Sequence, residues 1–215
     1  MLKPQNPDPC HLSPNPPRIV VENFDRRMPD ARSNEINKPM KTPLRFLFTL
    51  LCAAIVSLPS VHAATITVTN TADSGVGSLR QALADASDGD TINFAVPTPA
   101  TITLSSGELL VAAGVTISGP GANLLTVDAN HASRVFLISA NQPVTISGLT
   151  IANGSNGGDT GAGILSGPTD LTVSNCTLSG NSAGDSEGGG IYALGPTVIS
   201  NSTFTGNSAG QGGGI

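Results

Sequence analysis

Three segments decide the fold: VTISGLTIANGSNGGDTGAGI (Val144–Ile164), LTVSNCTLSGNSAGDSEGGGI (Leu171–Ile191) and TVISNSTFTGNSAGQGGGI (Thr197–Ile215). Val144 aligns with Leu171, and Ile164 with Ile191, at an offset of 27. Val173 aligns with Ile199 at 26, and Ile191 with Ile215 at 24, where the loop Asp185-Ser186-Glu187 shrinks to Gln211. Short apolar–polar alternations that recur at such a period, with Gly and Asn turns and no helical pattern, predict a β-solenoid. Each repeat divides into three strand candidates: Leu171–Val173, Cys176–Leu178 and Gly190–Tyr192. That is the plan of an all-β, right-handed parallel β-helix with about 27 residues per coil. Its coils stack about 4.8 Å apart, so like positions lie one above another.

Stacking assigns roles to the repeated residues. Ile151, Leu178 and Phe204 form one inward column; Leu149, Cys176 and Ser202 form another, with Cys176 a small core filler; Ile164, Ile191 and Ile215 form a third. Asn175 and Asn201 are expected at a tight bend, because Asn tolerates left-handed backbone and its amide can bond the next coil. Asn181 and Asn207 are expected to act as a second such pair. In the Val144 copy, Asn153-Gly154 replaces the Gly-Asn pair, which predicts a differently formed bend. The runs Gly188–Gly190 and Gly212–Gly214 permit a sharp corner.

Working outward, the chain divides into zones. Residues 1–39 hold eight prolines and no glycine, and cannot bury enough surface to offset their ordering entropy; they are expected to be disordered or outside the working protein. Met40 opens a basic stretch with Lys41 and Arg45, followed by the apolar run Leu44–Leu58 and by Pro59-Ser60-Val61-His62-Ala63. An almost unbroken apolar run of fifteen residues is short for a membrane span, so residues 40–63 are expected to be a signal peptide cut before Ala64, with a short membrane anchor as the alternative and Met40 as the start. Residues 64–98 read as a strand and a helical cap, and 99–215 as the β-helix repeats.

In the cap, Leu79, Ala82, Leu83 and Ala86 make one apolar stripe at helical spacing. Ser78 and Gln81 have capping-box spacing, so a helix is expected over Ser78–Ala86. Such a helix can cover the apolar interior that a solenoid exposes at its end. The stretch VTNTADSGVGSLRQALADASDGDTINF resembles the N-terminal module of bacterial surface proteins named for a CSLREA sequence, with Gly77 in place of the Cys and Gln81 in place of the Glu. The motif GNSAxxxGGGI resembles the repeat of polymorphic outer-membrane proteins, with Leu178 or Phe204 and Asn181 or Asn207 in its FxxN positions. The resemblance implies a parallel β-helix on the outer membrane or secreted, in an adhesion-type structural role.

From Ala64 onward there are ten acids, two arginines (Arg80 and Arg134) and no lysine, a formal charge of −8 against −5 for the whole chain. Such a surface excludes nucleic acid and anionic membranes as partners, and no membrane span is expected in the mature chain. Cys10 and Cys52 precede this region, which leaves Cys176 alone and excludes an internal disulfide or a cysteine metal site. A catalytic β-helix needs carboxylates beside a cation on neighbouring coils. Asp159, Asp185 and Glu187 come near one another in the aligned repeats and are the weak candidates for Ca²⁺, against a solvated loop. Asp128, Asn130, His131, Ser133 and Arg134 are the densest polar cluster, but triad members come from distant segments, so this reads as a turn before a strand at Val135–Ile138. No catalytic residue and no cofactor are expected. Partners would be glycans or proteins of host or environmental surfaces, with a glycan-processing or carbohydrate-binding β-helix as the alternative. The third copy stops at its glycine corner, so further coils are expected beyond Ile215.

Overall fold

The computed structural model describes residues 63–215. The expectations for residues 1–39 and for the signal peptide fall, apart from Ala63, outside the described residues. Strand β1 (Thr65–Val68) is followed by helix α1 (Leu79–Asp85) and β2 (Thr91–Phe94). There follow β3 (Ala100–Thr103), β4 (Leu109–Val111), β5 (Thr116–Ser118), β6 (Leu125–Asp128), β7 (Phe136–Ile138) and β8 (Val144–Ser147). The rest are β9 (Thr150–Ala152), β10 (Ile164–Ser166), β11 (Leu171–Ser174), β12 (Thr177–Ser179), β13 (Ile191–Ala193), β14 (Thr197–Ser200) and β15 (Thr203–Thr205).

From β2 onward the chain visits three parallel sheets in strict rotation. One sheet runs β1-β2-β5-β8-β11-β14, a second β3-β6-β9-β12-β15, and a third β4-β7-β10-β13. This is the expected parallel β-solenoid, of about five turns and roughly 26 residues per coil. Register decides what each sheet buries. Ile66, Ile92, Ile117, Ile146, Val173 and Ile199 stack inward in the first sheet. Ile102, Val127, Ile151, Leu178 and Phe204 do so in the second. Leu109, Phe136, Ile164 and Ile191 do so in the third. Each fully buried aliphatic side chain contributes about 1.5–3 kcal/mol, and these columns join into one core. Cys176 is buried as predicted; its amide donates to Ser202 Oγ at 3.2 Å, and burial pushes its thiol pKa up.

The outer faces are just as regular. Thr65, Thr91, Thr116, Thr145 and Thr172 form one outward ladder. Thr101, Thr126, Thr150, Thr177 and Thr203 form another. The third sheet instead carries Leu110, Leu137, Leu165 and Tyr192 outward.

Helix α1 starts one residue later than expected and packs Leu79, Ala82 and Leu83 against the core, beside β1 and the edge strand β4. Only half of the capping box forms. Ser78 Oγ accepts from the Gln81 amide at 3.2 Å, but Gln81 Nε2 donates to Asp85 at 2.8 Å, and the Ser78 amide donates to the Gly75 carbonyl at 3.1 Å. The turn before the helix already satisfies that donor, so Gln81 is released to the next helical turn.

The two asparagine pairs do different work, which corrects the expectation that both act alike. Asn175 and Asn201 take left-handed backbone, φ 53° and 48°, in the register of Gly148 at 64°. Their side chains make no hydrogen bond to the next coil; backbone conformation is their role. Asn181 and Asn207 are not left-handed, because Gly180 and Gly206 ahead of them take that conformation. They form a ladder inside the coil. Asn181 Nδ2 donates to Asn207 Oδ1 at 2.9 Å and to the Ile151 carbonyl at 3.1 Å, while its Oδ1 accepts from the Gly154 amide at 2.8 Å. The bend at Asn153-Gly154 is not a different bend. Asn153, φ 54°, fills the left-handed slot that Gly180 fills one coil on, and the Gly154 amide meets Asn181 Oδ1.

Candidate functional site

The most developed polar site lies just before the third sheet, where three successive coils meet at Arg134. This side chain is only 6% exposed although it is charged. Burial of a guanidinium requires that its donors be used. Arg134 Nε donates to the Gly161 carbonyl at 2.7 Å and Nη2 to the Thr160 carbonyl at 2.8 Å. Nη1 donates to Glu108 at 2.6 Å, one coil back, and Nη2 to Asp159 at 3.3 Å, one coil on. Glu108 and Asp159 keep 34% and 70% exposure, so both carboxylates still face solvent beside their bonds to Arg134. Around them opens a groove of about 600 Å³ that His131, Ser133, Ser155 and Asn156 also line.

The groove's walls are turns with unusual backbone. Asn130 and His131 are both left-handed, φ 51° and 55°, a conformation uncommon outside glycine. The His131 amide donates to the Asn153 carbonyl at 2.8 Å, and Asp128 Oδ1 accepts from the Asn130 amide at 2.7 Å and from Asn153 Nδ2 at 3.1 Å. Asp128, His131 and Ser133 form no triad: Ser133 Oγ donates to the Arg134 carbonyl at 2.9 Å. The turn leads into β7, as the sequence implies. Asn156 Oδ1 is buried without a hydrogen-bond partner. Alongside the groove, Glu108 immediately precedes β4, whose Leu110 opens the outward Leu110–Leu137–Leu165–Tyr192 column.

Asp159, Asp185 and Glu187 do not gather into a cation site. Among the described residues no group of three or more His, Cys, Asp or Glu side chains is placed to hold a metal ion. The physical reason is that Asp159 turns back to Arg134 and to its own Thr160 amide, at 2.8 Å. What the sequence reading missed was an acid–base–acid stack. Its signal was present in the numbering: Glu108 and Arg134 differ by 26 and Arg134 and Asp159 by 25, one coil each.

A second polar cluster fastens the cap. Arg80 donates to Asp73 Oδ1 at 2.7 Å and to the carbonyls of Gly107 and Glu108 at 2.7 and 2.6 Å. Asp73 Oδ2 accepts from Ser105 and Ser106. Burial opposes ionisation of Asp73, but the bonds from Arg80, Ser106 and Ser105 and the charge of Arg80 outweigh it and lower its pKa to about 2. This cluster ties α1 to the first coil.

No family model, curated protein or solved structure matches the chain.

Proposed function

We propose that this chain is an exported β-helix of the bacterial cell surface or exterior, with a structural, adhesion-type role and no catalytic step of its own. The stacked coils serve as a shaft, and the groove at Arg134 with its apolar column serves as the contact region. The observation that carries this reading is the pairing of a polar groove with the outward Leu110–Leu137–Leu165–Tyr192 column. A glycan offers both hydroxyls and an apolar ring face, which are the two chemistries that this region presents. The likeness of VTNTADSGVGSLRQALADASDGDTINF to the CSLREA-type module and of GNSAxxxGGGI to polymorphic outer-membrane repeats supports a surface location.

One observation favours the second reading, a glycan-processing β-helix: carboxylates flank a cation on three successive coils. Against turnover, Arg134 spends its guanidinium on both carboxylates and on two backbone carbonyls, and is almost wholly covered. It has little left to bind a uronate or to stabilise developing charge. The deciding experiment expresses the full chain in a Gram-negative host. Fractionation and protease shaving locate it, and displaying cells are tested for adhesion to immobilised neutral glycans. Surface exposure with adhesion and no turnover is expected. Retention in the cytosol, or cleavage of polygalacturonate by the purified chain, overturns the proposal.

A further inference from the structure

Asp90 is a buried carboxylate, 6% exposed, that has no cation beside it among the described residues. It sits in the turn before β2. Its Oδ1 accepts from the Ala64 amide at 2.7 Å and its Oδ2 from the Ser87 amide at 2.8 Å. Those backbone donors, Ser87 first and Ala64 second, hold its pKa below the usual carboxylate value, so the group stays ionised. The ion pairs among the described residues engage Asp73, Glu108 and Asp159, never Asp90. Arg80 and Arg134 are committed elsewhere, and residues 64–215 contain no lysine. Buried carboxylates ordinarily have a charge partner.

The partner is one peptide bond away. The donor on Asp90 Oδ1 is the nitrogen of Ala64, the residue at which the mature chain is expected to begin. Ala63 and Ala64 are both exposed, so the bond between them is open to a peptidase. We propose that a signal peptidase cleaves Ala63–Ala64 and that the α-ammonium it creates becomes the cation of Asp90, locking β1 onto β2. In that step water adds across the peptide bond. The C–N bond breaks, Ala63 keeps a carboxylate, and the Ala64 amine takes up a proton as ammonium. Its nitrogen already lies at ion-pair distance from Oδ1, and the neighbouring Ala64 carbonyl already accepts from the Thr91 amide at 2.8 Å. Processing therefore replaces a neutral donor by a charged one at a formed contact, without rearrangement.

This inference rests on the export reading, and the experiment separates the two. In the full chain, Ser60→Ile, Val61→Glu, His62→Gly and Ala63→Arg introduce a site that factor Xa cuts immediately before Ala64. Unfolding is compared before cleavage, after cleavage, and after acetylation of the cleaved chain. Acetylation targets the α-amine alone because no lysine follows Ala64. Cleavage is expected to raise the folding equilibrium constant about tenfold, acetylation to reverse the gain, and Asp90→Asn to abolish both effects. Equal stability of the cleaved and acetylated forms, or the same gain in Asp90→Asn, overturns the ion pair. Separately, mass spectrometry of wild-type chain exported by a bacterial host is expected to place its first residue at Ala64. Any other N-terminus overturns the processing site, while the factor Xa comparison still judges the ion pair.

Discussion

At the scale of single residues, the repeated asparagines separate a conformational role from a bonding role. Asn175 supplies left-handed backbone, whereas Asn181 supplies three hydrogen bonds inside the coil. Asn181→Ala strands the Gly154 amide at a fully buried site, where an unpaired group costs about 1–3 kcal/mol, and removes a second donor from the Ile151 carbonyl of β9. We expect a loss of about 2–4 kcal/mol in urea unfolding, and a smaller loss for Asn207→Ala, which is half-exposed and can recruit water. Equal losses would contradict the ladder. Asp73 sets a pH dependence whose sign follows from its lowered pKa, about 2 against an unperturbed 3.8. Its contribution is fully present above about pH 4 and is lost as the pH falls through 2. Solvent screening keeps it to roughly 1–2 kcal/mol. The stability gap between wild type and Asp73→Asn should therefore be constant from pH 7 to 5 and close towards pH 2, measured by thermal melts across that range.

At the scale of elements, strands and loops differ in how plainly they could be read. The strands were legible because alternation of Thr, Val and Ile fixes which side of a pleat is buried, and the repeat spacing fixes which strands pair. The expected Leu171–Val173 became β11 (Leu171–Ser174), one residue longer. The bends were partly legible: Gly or Asn marks a left-handed position, but whether its side chain also bonds depends on what the next coil places opposite. The groove was illegible as a motif because its three charges sit in dissimilar loops. Glu108 precedes a strand, Arg134 ends a turn and Asp159 lies in a glycine-rich loop, so no local pattern joins them. Only the coil period relates them, at separations of 26 and 25 residues. Arg134 acts as the clamp of the loop from Ser155 to Gly161. Arg134→Met keeps the apolar stem but leaves the Gly161 carbonyl unpaired, leaves the Thr160 carbonyl with Asn156 Nδ2 as its remaining donor, and frees both carboxylates. A loss of about 2–3 kcal/mol is expected, with faster amide exchange confined to residues 155–163. Arg134→Lys, with one point charge in place of a fork, should recover only part of it.

At the scale of the whole solenoid, stability is a sum over neighbouring coils more than a property of one closed core. Each coil is too thin to bury its own interior; its apolar columns are covered by the coils before and after. The strands β8 and β9 have partners on both sides, and their inward residues Ile146 and Ile151 are fully buried. β14 and β15 pair on one side, and their inward Ile199 and Phe204 are only partly covered. At the other end α1 covers the edge of β4 and is held there by Arg80, so Leu79, Leu83 and Val68 stay buried. The chain as given should thus open unevenly. In native-state hydrogen exchange the amides of β14 and β15 should exchange first, those of α1 and β1 next, and those of β8 and β9 last, with at least about a hundredfold between the extremes. The same order should appear in limited proteolysis, because opening of the outer coil exposes the next interface without breaking the ones below it. Uniform exchange across all three sheets would show a single cooperative unit, and would mean that the columns couple distant coils more tightly than contact between neighbours allows.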